Sequence, residues 1–154
     1  MSVGEICNRE VVTAHKEDTV IAAAKLMRAR HAGSIVVVEG EGEAIKPLGI
    51  ITDRDFVVEL MAKDVDVHAV TLQDLMGSEL LMAREADGIW ETILRMRAMG
   101  RRRLPVVDDT DHYLVGILTM DDLLEFLAGE FYDLAKLVRR EMRRETETRS
   151  DEEE

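Results

Sequence analysis

Two heptads carry side chains whose types and spacing could do chemistry: Gly49-Ile50-Ile51-Thr52-Asp53-Arg54-Asp55 and Gly116-Ile117-Leu118-Thr119-Met120-Asp121-Asp122. Each reads glycine, two aliphatics, threonine, any two residues, aspartate. The threonine stands where a helix N-cap belongs, and the aspartate falls at N3 of the same cap. There a carboxylate suits the positive end of the helix dipole, and the hydroxyl can accept from a backbone N–H left open in the first turn. Such groups bind and orient. They do not by themselves make a nucleophile with its base, and no Walker loop, nucleophile elbow or dinucleotide fingerprint is present. One reading of each Thr/Asp pair is therefore helix capping alone.

The heptads belong to a longer repeat. Ser2 aligns with Thr71, Glu5 with Asp74, Ile6 with Leu75, Asp18 with Asp87, Ile35 with Leu104 and Glu39 with Asp108, all at one offset. From Gly49 and Gly116 onward the offset is two residues smaller, so the shortening falls in the loop between two strands. A constant register with one loop edit is the mark of duplication. The elements that must position the heptads can be read in both copies. Ser2-Val3-Gly4-Glu5 and Thr71-Leu72-Gln73-Asp74 have the form of capping boxes opening short helical turns. Val11-Val12-Thr13 and Leu80-Leu81-Met82 read as short strands, and Asp18 and Asp87 as caps of the first full helices. Val20, Ala23, Ala24 and Met27, and Ile89, Ile93 and Met96, make one face of each helix. Glycine stops follow at His31-Ala32-Gly33 and Met99-Gly100. The β-branched runs Ile35–Val38 and Leu104–Val107 read as buried strands, and Leu48–Ile51 and Leu114–Leu118 as their partners. Phe56, Val57, Leu60 and Met61 form the apolar face of the helix after the first heptad, and Leu123, Leu124, Phe126 and Leu127 that of the second. Each copy is thus strand–helix–strand–strand–helix.

A chain of 154 residues is about one domain's worth, so the two half-size repeats are expected to pack as one unit. The net charge of −12 argues against sequence-independent binding to duplex nucleic acid. Cys7 is the one cysteine, which excludes an intrachain disulfide and fits a reducing compartment. It occupies the register of Met76, so a structural thiol is favoured over a reactive one. No apolar signal region or membrane-length apolar run occurs, and a cytoplasmic location is expected.

This order of elements, with the two heptads and the Leu104-Pro105-Val106-Val107-Asp108 string, resembles the cystathionine β-synthase (CBS) domain family over about residues 2 to 128. The tandem arrangement resembles its paired form, the Bateman module. The resemblance implies an α/β (α+β) fold: two pseudo-symmetric β-α-β-β-α repeats packed through their sheets, at residues 1–69 and 70–128. It also implies clefts for an adenosine-containing ligand such as AMP, ADP, ATP, S-adenosylmethionine or NAD, and association into a homodimer. The ligand would be regulatory, with no cofactor required. An ionised aspartate only accepts hydrogen bonds and can take both hydroxyls of a ribose. Asp55 and Asp122 are accordingly the expected ribose ligands, with Thr52 and Thr119 beside ribose or phosphate.

The resemblance further implies that each cleft is completed by the other copy. Thr52 and Asp55 would share one with Leu80, Leu81, Met82, Arg102 and Arg103. Thr119 and Asp122 would share the second with Val11, Val12, Thr13, Gly33 and Ser34. Arg101-Arg102-Arg103 stands where the first copy has Ala32-Gly33-Ser34. Two guanidiniums can neutralise a phosphate, so the Thr52/Asp55 cleft suits a nucleotide better. The second suits a neutral or cationic adenosyl compound, or nothing. The arginines read equally well as a solvated helix end complementing the C-terminal dipole.

Other candidates carry less. Asp108-Asp109-Thr110-Asp111-His112 lacks calcium-loop spacing and sits where a hairpin turn is needed, and the four histidines are scattered. Trp90 reads as a packing residue. Residues 129–154 form an extension: Phe131, Leu134, Val138 and Met142 make an apolar stripe on an amphipathic helix, and Ser150–Glu154 an acidic disordered tail. The expectation is a non-catalytic sensor signalling through a dimer or an unidentified effector protein. The alternative is a structural or adaptor protein with empty clefts, acting through its C-terminal helix. A nucleotide hydrolase or transferase is disfavoured because no nucleophile or base is placed.

Overall fold

The computed structural model describes residues 1–77 and 79–152, with side chains as far as Arg144. Met1–Thr119 forms one compact unit and Met120–Glu154 a second. Within the first unit, β1 (Thr13–His15), α2 (Val20–Arg30), β2 (Ser34–Glu39) and β3 (Lys46–Thr52) make the first repeat, after the turn α1 (Val3–Ile6). Helix α3 (Asp53–Asp55) follows and runs into a π-helical stretch, Phe56–Met61. The second repeat has α4 (Leu72–Leu75), β4 (Ala83–Arg84), α5 (Ile89–Met99), β5 (Arg103–Val107) and β6 (Leu114–Thr119). Each repeat builds a three-stranded sheet, ordered β1-β2-β3 and β4-β5-β6, with one parallel and one antiparallel pairing.

Alternation along β2 explains how the unit is layered. Ile35 and Val37 face one way into a core with Val20, Ala23 and Met27 of α2, Leu60 and Leu72. Val36 and Val38 face the other way and meet Ile117 of β6, with Val11, Ile45, Ile50 and Leu114 around them. Period-two side chains on a strand buried on both faces need this continuous apolar run. The two sheets thus pack face to face within the first unit.

The helical turns cross between the repeats. Val3 N–H and Gly4 N–H donate to the carbonyls of Asp87 and Glu85, each at 2.9 Å, so α1 docks on the second repeat. Leu72 and Gln73 N–H donate to Asp18 and Lys16, again at 2.9 Å, so α4 docks on the first. Val3 and Leu72 are both wholly buried by this exchange. Both turns carry capping boxes, Ser2 with Glu5 and Thr71 with Asp74. The bonds from Thr71 N–H and hydroxyl hold the Asp74 carboxyl below its usual range.

The exchange accounts for the heptad glycines. A side chain on Gly116 would place Cβ 2.7 Å from Cys7 Sγ and 3.0 Å from the Asn8 carbonyl. One on Gly49 would lie 2.6 Å from Met76 Sδ and 2.8 Å from its Cγ. The sulfur of each crossing turn rests on the other repeat's glycine, which is the structural role of Cys7. Gly116→Ala is expected to cost ~1–3 kcal/mol, because backbone as well as sulfur must move. Gly49→Ala should cost less, since Met76 is long and adaptable. Urea midpoints of the two variants at unchanged m-value check this order.

Several boundaries differ from the sequence reading. The strands begin later, at Thr13 and Ala83, so Val11, Val12, Leu80, Leu81 and Met82 precede them. The caps fall one residue later, at Thr19, which accepts from Ala22 N–H at 3.2 Å, and at Gly88. Asp18 and Asp87 instead close the preceding turns, accepting from His15 and Arg84 N–H at 2.8 and 3.0 Å. Burial pushes the Asp87 carboxyl up, but the Arg84 N–H and the Arg95 guanidinium 2.8 Å away outweigh it and hold it low. On the π-helical stretch Leu60 is buried, while Val57 and Met61 are 54% and 72% exposed. The Ala62 N–H reaches the Val57 carbonyl, one residue beyond an α-helical bond, and this widened turn parts those two from the apolar face.

The second unit is built on α6 (Met120–Glu152). The helix after the second heptad and the C-terminal extension are one continuous element. Of the acidic end read as a disordered tail, Ser150, Asp151 and Glu152 are helical, and Glu153 and Glu154 lie outside the described residues. No helix among the described residues is long and apolar enough to cross a membrane.

Candidate functional site

The first heptad builds its own anchor. β3 delivers Thr52 to the start of α3, where its hydroxyl accepts from Asp55 N–H at 3.4 Å. Asp55 answers through Oδ2, which accepts from Thr52 N–H at 2.7 Å and from the Thr52 hydroxyl at 3.1 Å. This capping box fixes the carboxylate with one oxygen committed. Among the described residues Oδ1 of Asp55 takes no hydrogen bond. Both residues are half-buried.

A cavity of about 270 Å³ opens beside this pair, lined by Ile50, Thr52, Asp55, Glu79, Leu80, Leu81 and Gly100 to Arg103. It lies between the repeats of the first unit. Four features of the second repeat shape it. Helix α5 stops at Gly100, whose φ of 61° is left-handed and turns the chain sharply. Arg101 N–H then caps the Met96 carbonyl at 2.9 Å, and the chain enters β5 at Arg103. Arg101 and Arg102 are exposed and Arg103 is half-buried, so three guanidiniums stand at one wall. Pro105 provides the fourth. In the first repeat the Val36 N–H donates to the Val12 carbonyl at 3.0 Å. Pro105 occupies the matching position and has no N–H, so the Leu81 carbonyl is released from that strand bond and β4 is a residue shorter than β1.

Of the residues expected in this cleft, Thr52, Asp55, Leu80, Leu81, Arg102 and Arg103 come together. Met82 does not. It lines a separate hollow with Arg84, Asp87, Arg95 and His112, and its carbonyl accepts from the Arg95 guanidinium. That bond holds Met82 on the Arg95 side of the chain. Ile50, Glu79, Gly100 and Arg101 also line the cavity and were not among the residues expected in it. Ile50 had a usable signal, two residues before Thr52 on the same face of β3. Gly100 and Arg101 were legible as the helix stop. Glu79 had none.

The residues of the second set take these places. Val11 and Val12 precede β1, and Thr13 opens it. The Gly33 carbonyl accepts from Asp53 N–H at 3.1 Å, and Ser34 opens β2 opposite Thr52. Thr119 ends β6 opposite Arg103. Asp122 lies in the first turn of α6, in the second unit.

The acidic loop serves as a hairpin turn. Asp108 Oδ2 accepts from the Thr110 hydroxyl at 2.7 Å, and Oδ1 from Tyr113 N–H at 2.6 Å. The Thr110 bond is the main cause of the Asp108 carboxyl lying below its usual range. Among the described residues no group of three histidine, cysteine or acidic side chains could hold a metal ion.

Two sheet-packed α/β repeats with a polar cavity between them define a duplicated module. The family model of the CBS domain matches residues 3–62 and again 72–129, and the chain belongs to that family as a tandem pair of CBS domains. CBS domain-containing protein YhcV of Bacillus subtilis is 32% identical over 122 residues, covering 79% of this chain and 82% of that protein. An uncharacterized protein of Methanopyrus kandleri is 36% identical over 125 residues, covering 81% of this chain. The match spans 62% of that relative's length. Among solved structures, the CBS domain pair of protein MJ0100, in complex with 5-methylthioadenosine and S-adenosyl-L-methionine, superposes with a TM-score of 0.71 at 25% identity. It covers 84% of this chain and 98% of that one.

Proposed function

We propose that the chain is a non-catalytic regulatory module that binds an adenosine nucleotide, AMP, ADP or ATP, in the Thr52/Asp55 cavity. The observation that carries this is the meeting, in one cavity, of a rigidly capped carboxylate with the Arg101–Arg103 wall. Asp55 Oδ1 accepts one ribose hydroxyl, and a remaining lone pair of the capped Oδ2 accepts the other. Arg102 and Arg103 meet the phosphate. Ile50, Leu80 and Leu81 form apolar walls for a purine. The adenosyl ligands of the MJ0100 pair support the class of compound. The arginine wall favours a phosphate-bearing member over S-adenosylmethionine; NAD carries the same groups on a larger frame. Signalling requires that the ligand bind two arrangements of the module unequally, with a homodimer or an effector protein reading the difference.

A thermal-shift panel of AMP, ADP, ATP, S-adenosylmethionine and NADH tests this. A ligand at about a hundred times its dissociation constant adds ~2.7 kcal/mol, enough to raise the melting temperature by several degrees in a domain of this size. No shift with any compound would favour the second reading, an adaptor acting through α6, whose apolar stripe is exposed.

A further inference from the structure

The described part of the second unit is a single helix, so its apolar stripe has no second element within that unit to pack on. Leu124, Phe131, Leu134, Val138 and Met142 are each 56–69% exposed. Steps of seven, three, four and four residues place them along one face, the spacing of a helix–helix seam. An amphipathic helix draws most of its stability from whatever covers its apolar face.

Charge decides what covers it. Asp121, Asp122, Glu125, Glu130 and Asp133 lie before residue 136, with no lysine or arginine among residues 120–135. Lys136, Arg139, Arg140, Arg143 and Arg144 then follow, against Glu141 alone, up to residue 144. The helix is acidic in its first half and basic in the next nine residues. An anionic surface would attract residues 136–144 and repel the acidic stretches on either side of them. A parallel pair would set like charge on like. We propose that α6 pairs antiparallel with α6 of a second copy, its stripe forming the seam and each acidic stretch, residues 121–133, lying along the other's basic stretch, residues 136–144. Matching the charges puts the crossing point near Asp133. Phe131 is then level with Leu134 of the second copy, and Leu124 with Met142.

The test uses the full chain in a Cys7→Ala background, with a nitroxide on Leu124→Cys or Met142→Cys. Sedimentation equilibrium should show a dimer. The Leu124→Cys label should lie roughly 27 Å along the axis from its counterpart, eighteen residues at 1.5 Å each. A mixture of the two labelled chains should add a distance near 10 Å, the spacing of packed helices. Phe131→Glu with Leu134→Glu should weaken the dimer at least about tenfold by burying charge in the seam. Three outcomes overturn the proposal: a monomer, whether or not it binds anionic vesicles; short distances for both labels alone, which mean a parallel pair; or a dimer indifferent to the double glutamate, which mates through another face.

Discussion

Asp55→Ala should weaken binding of AMP roughly ten- to a hundredfold, measured by calorimetric titration against the wild type. The carboxylate is asked for charge-assisted hydrogen bonds to ribose, each worth ~1.5–3 kcal/mol, and ~1.4 kcal/mol is a factor of ten. The same side chain holds Thr52 N–H and hydroxyl at 2.7 and 3.1 Å. Its removal therefore also costs the fold ~1 kcal/mol as a lost cap. Asp55→Asn separates the two effects. An amide can still accept at the cap but offers the ribose one acceptor and no charge. It should keep the wild-type unfolding midpoint to within a degree or two and still lose affinity. Asp122→Ala, outside the cavity, should leave AMP affinity within about twofold. Equal losses at Asp55 and Asp122 would mean that both heptads serve ligands, or that both losses are structural.

Leu72→Ala should destabilise the chain by ~2–5 kcal/mol, the range for truncating a fully buried leucine. A four-residue turn between repeats looks peripheral in sequence. In the fold Leu72 is 0% exposed and belongs to the core formed by Val20, Ile35, Ile51 and Leu60 of the other repeat. The cavity left there has β2 and α2 on its walls, so it cannot collapse freely. Because the crossing turn ties the repeats together, the denaturation profile should stay a single transition. Two resolved transitions would show that the repeats unfold separately and that the exchange contributes little. The solvent-facing Gln73→Ala in the same turn should change stability by less than ~0.5 kcal/mol.

The parts that were legible in sequence are those set by local chemistry. Thr52 with Asp55, Ser2 with Glu5 and Thr71 with Asp74 form the capping boxes that their three-residue spacing implies. The aliphatic runs 35–38 and 104–107 are buried strands, as β-branched content and length suggested. The parts that were not legible depend on what lies across space. Asp18 and Thr19 both suit a cap, and the choice went to Thr19 because Asp18 closes the turn from His15. Strand β4 begins late because Pro105, distant in sequence, cannot donate to Leu81. The docking of α1 and α4 on opposite repeats leaves only an indirect trace, a glycine in each heptad that must accept a sulfur. For the cavity, the residues flanking known motifs could be named, while Glu79 became visible only once the loop before β4 had a path.

The most direct test of the central claim is a crystal structure of the chain grown with saturating AMP. The account predicts AMP in the Thr52/Asp55 cavity, with ribose hydroxyls on the Asp55 carboxylate and the phosphate within hydrogen-bond distance of Arg102 or Arg103. An empty cavity at saturating AMP, or AMP seated beside Thr119 and Asp122 instead, would contradict it.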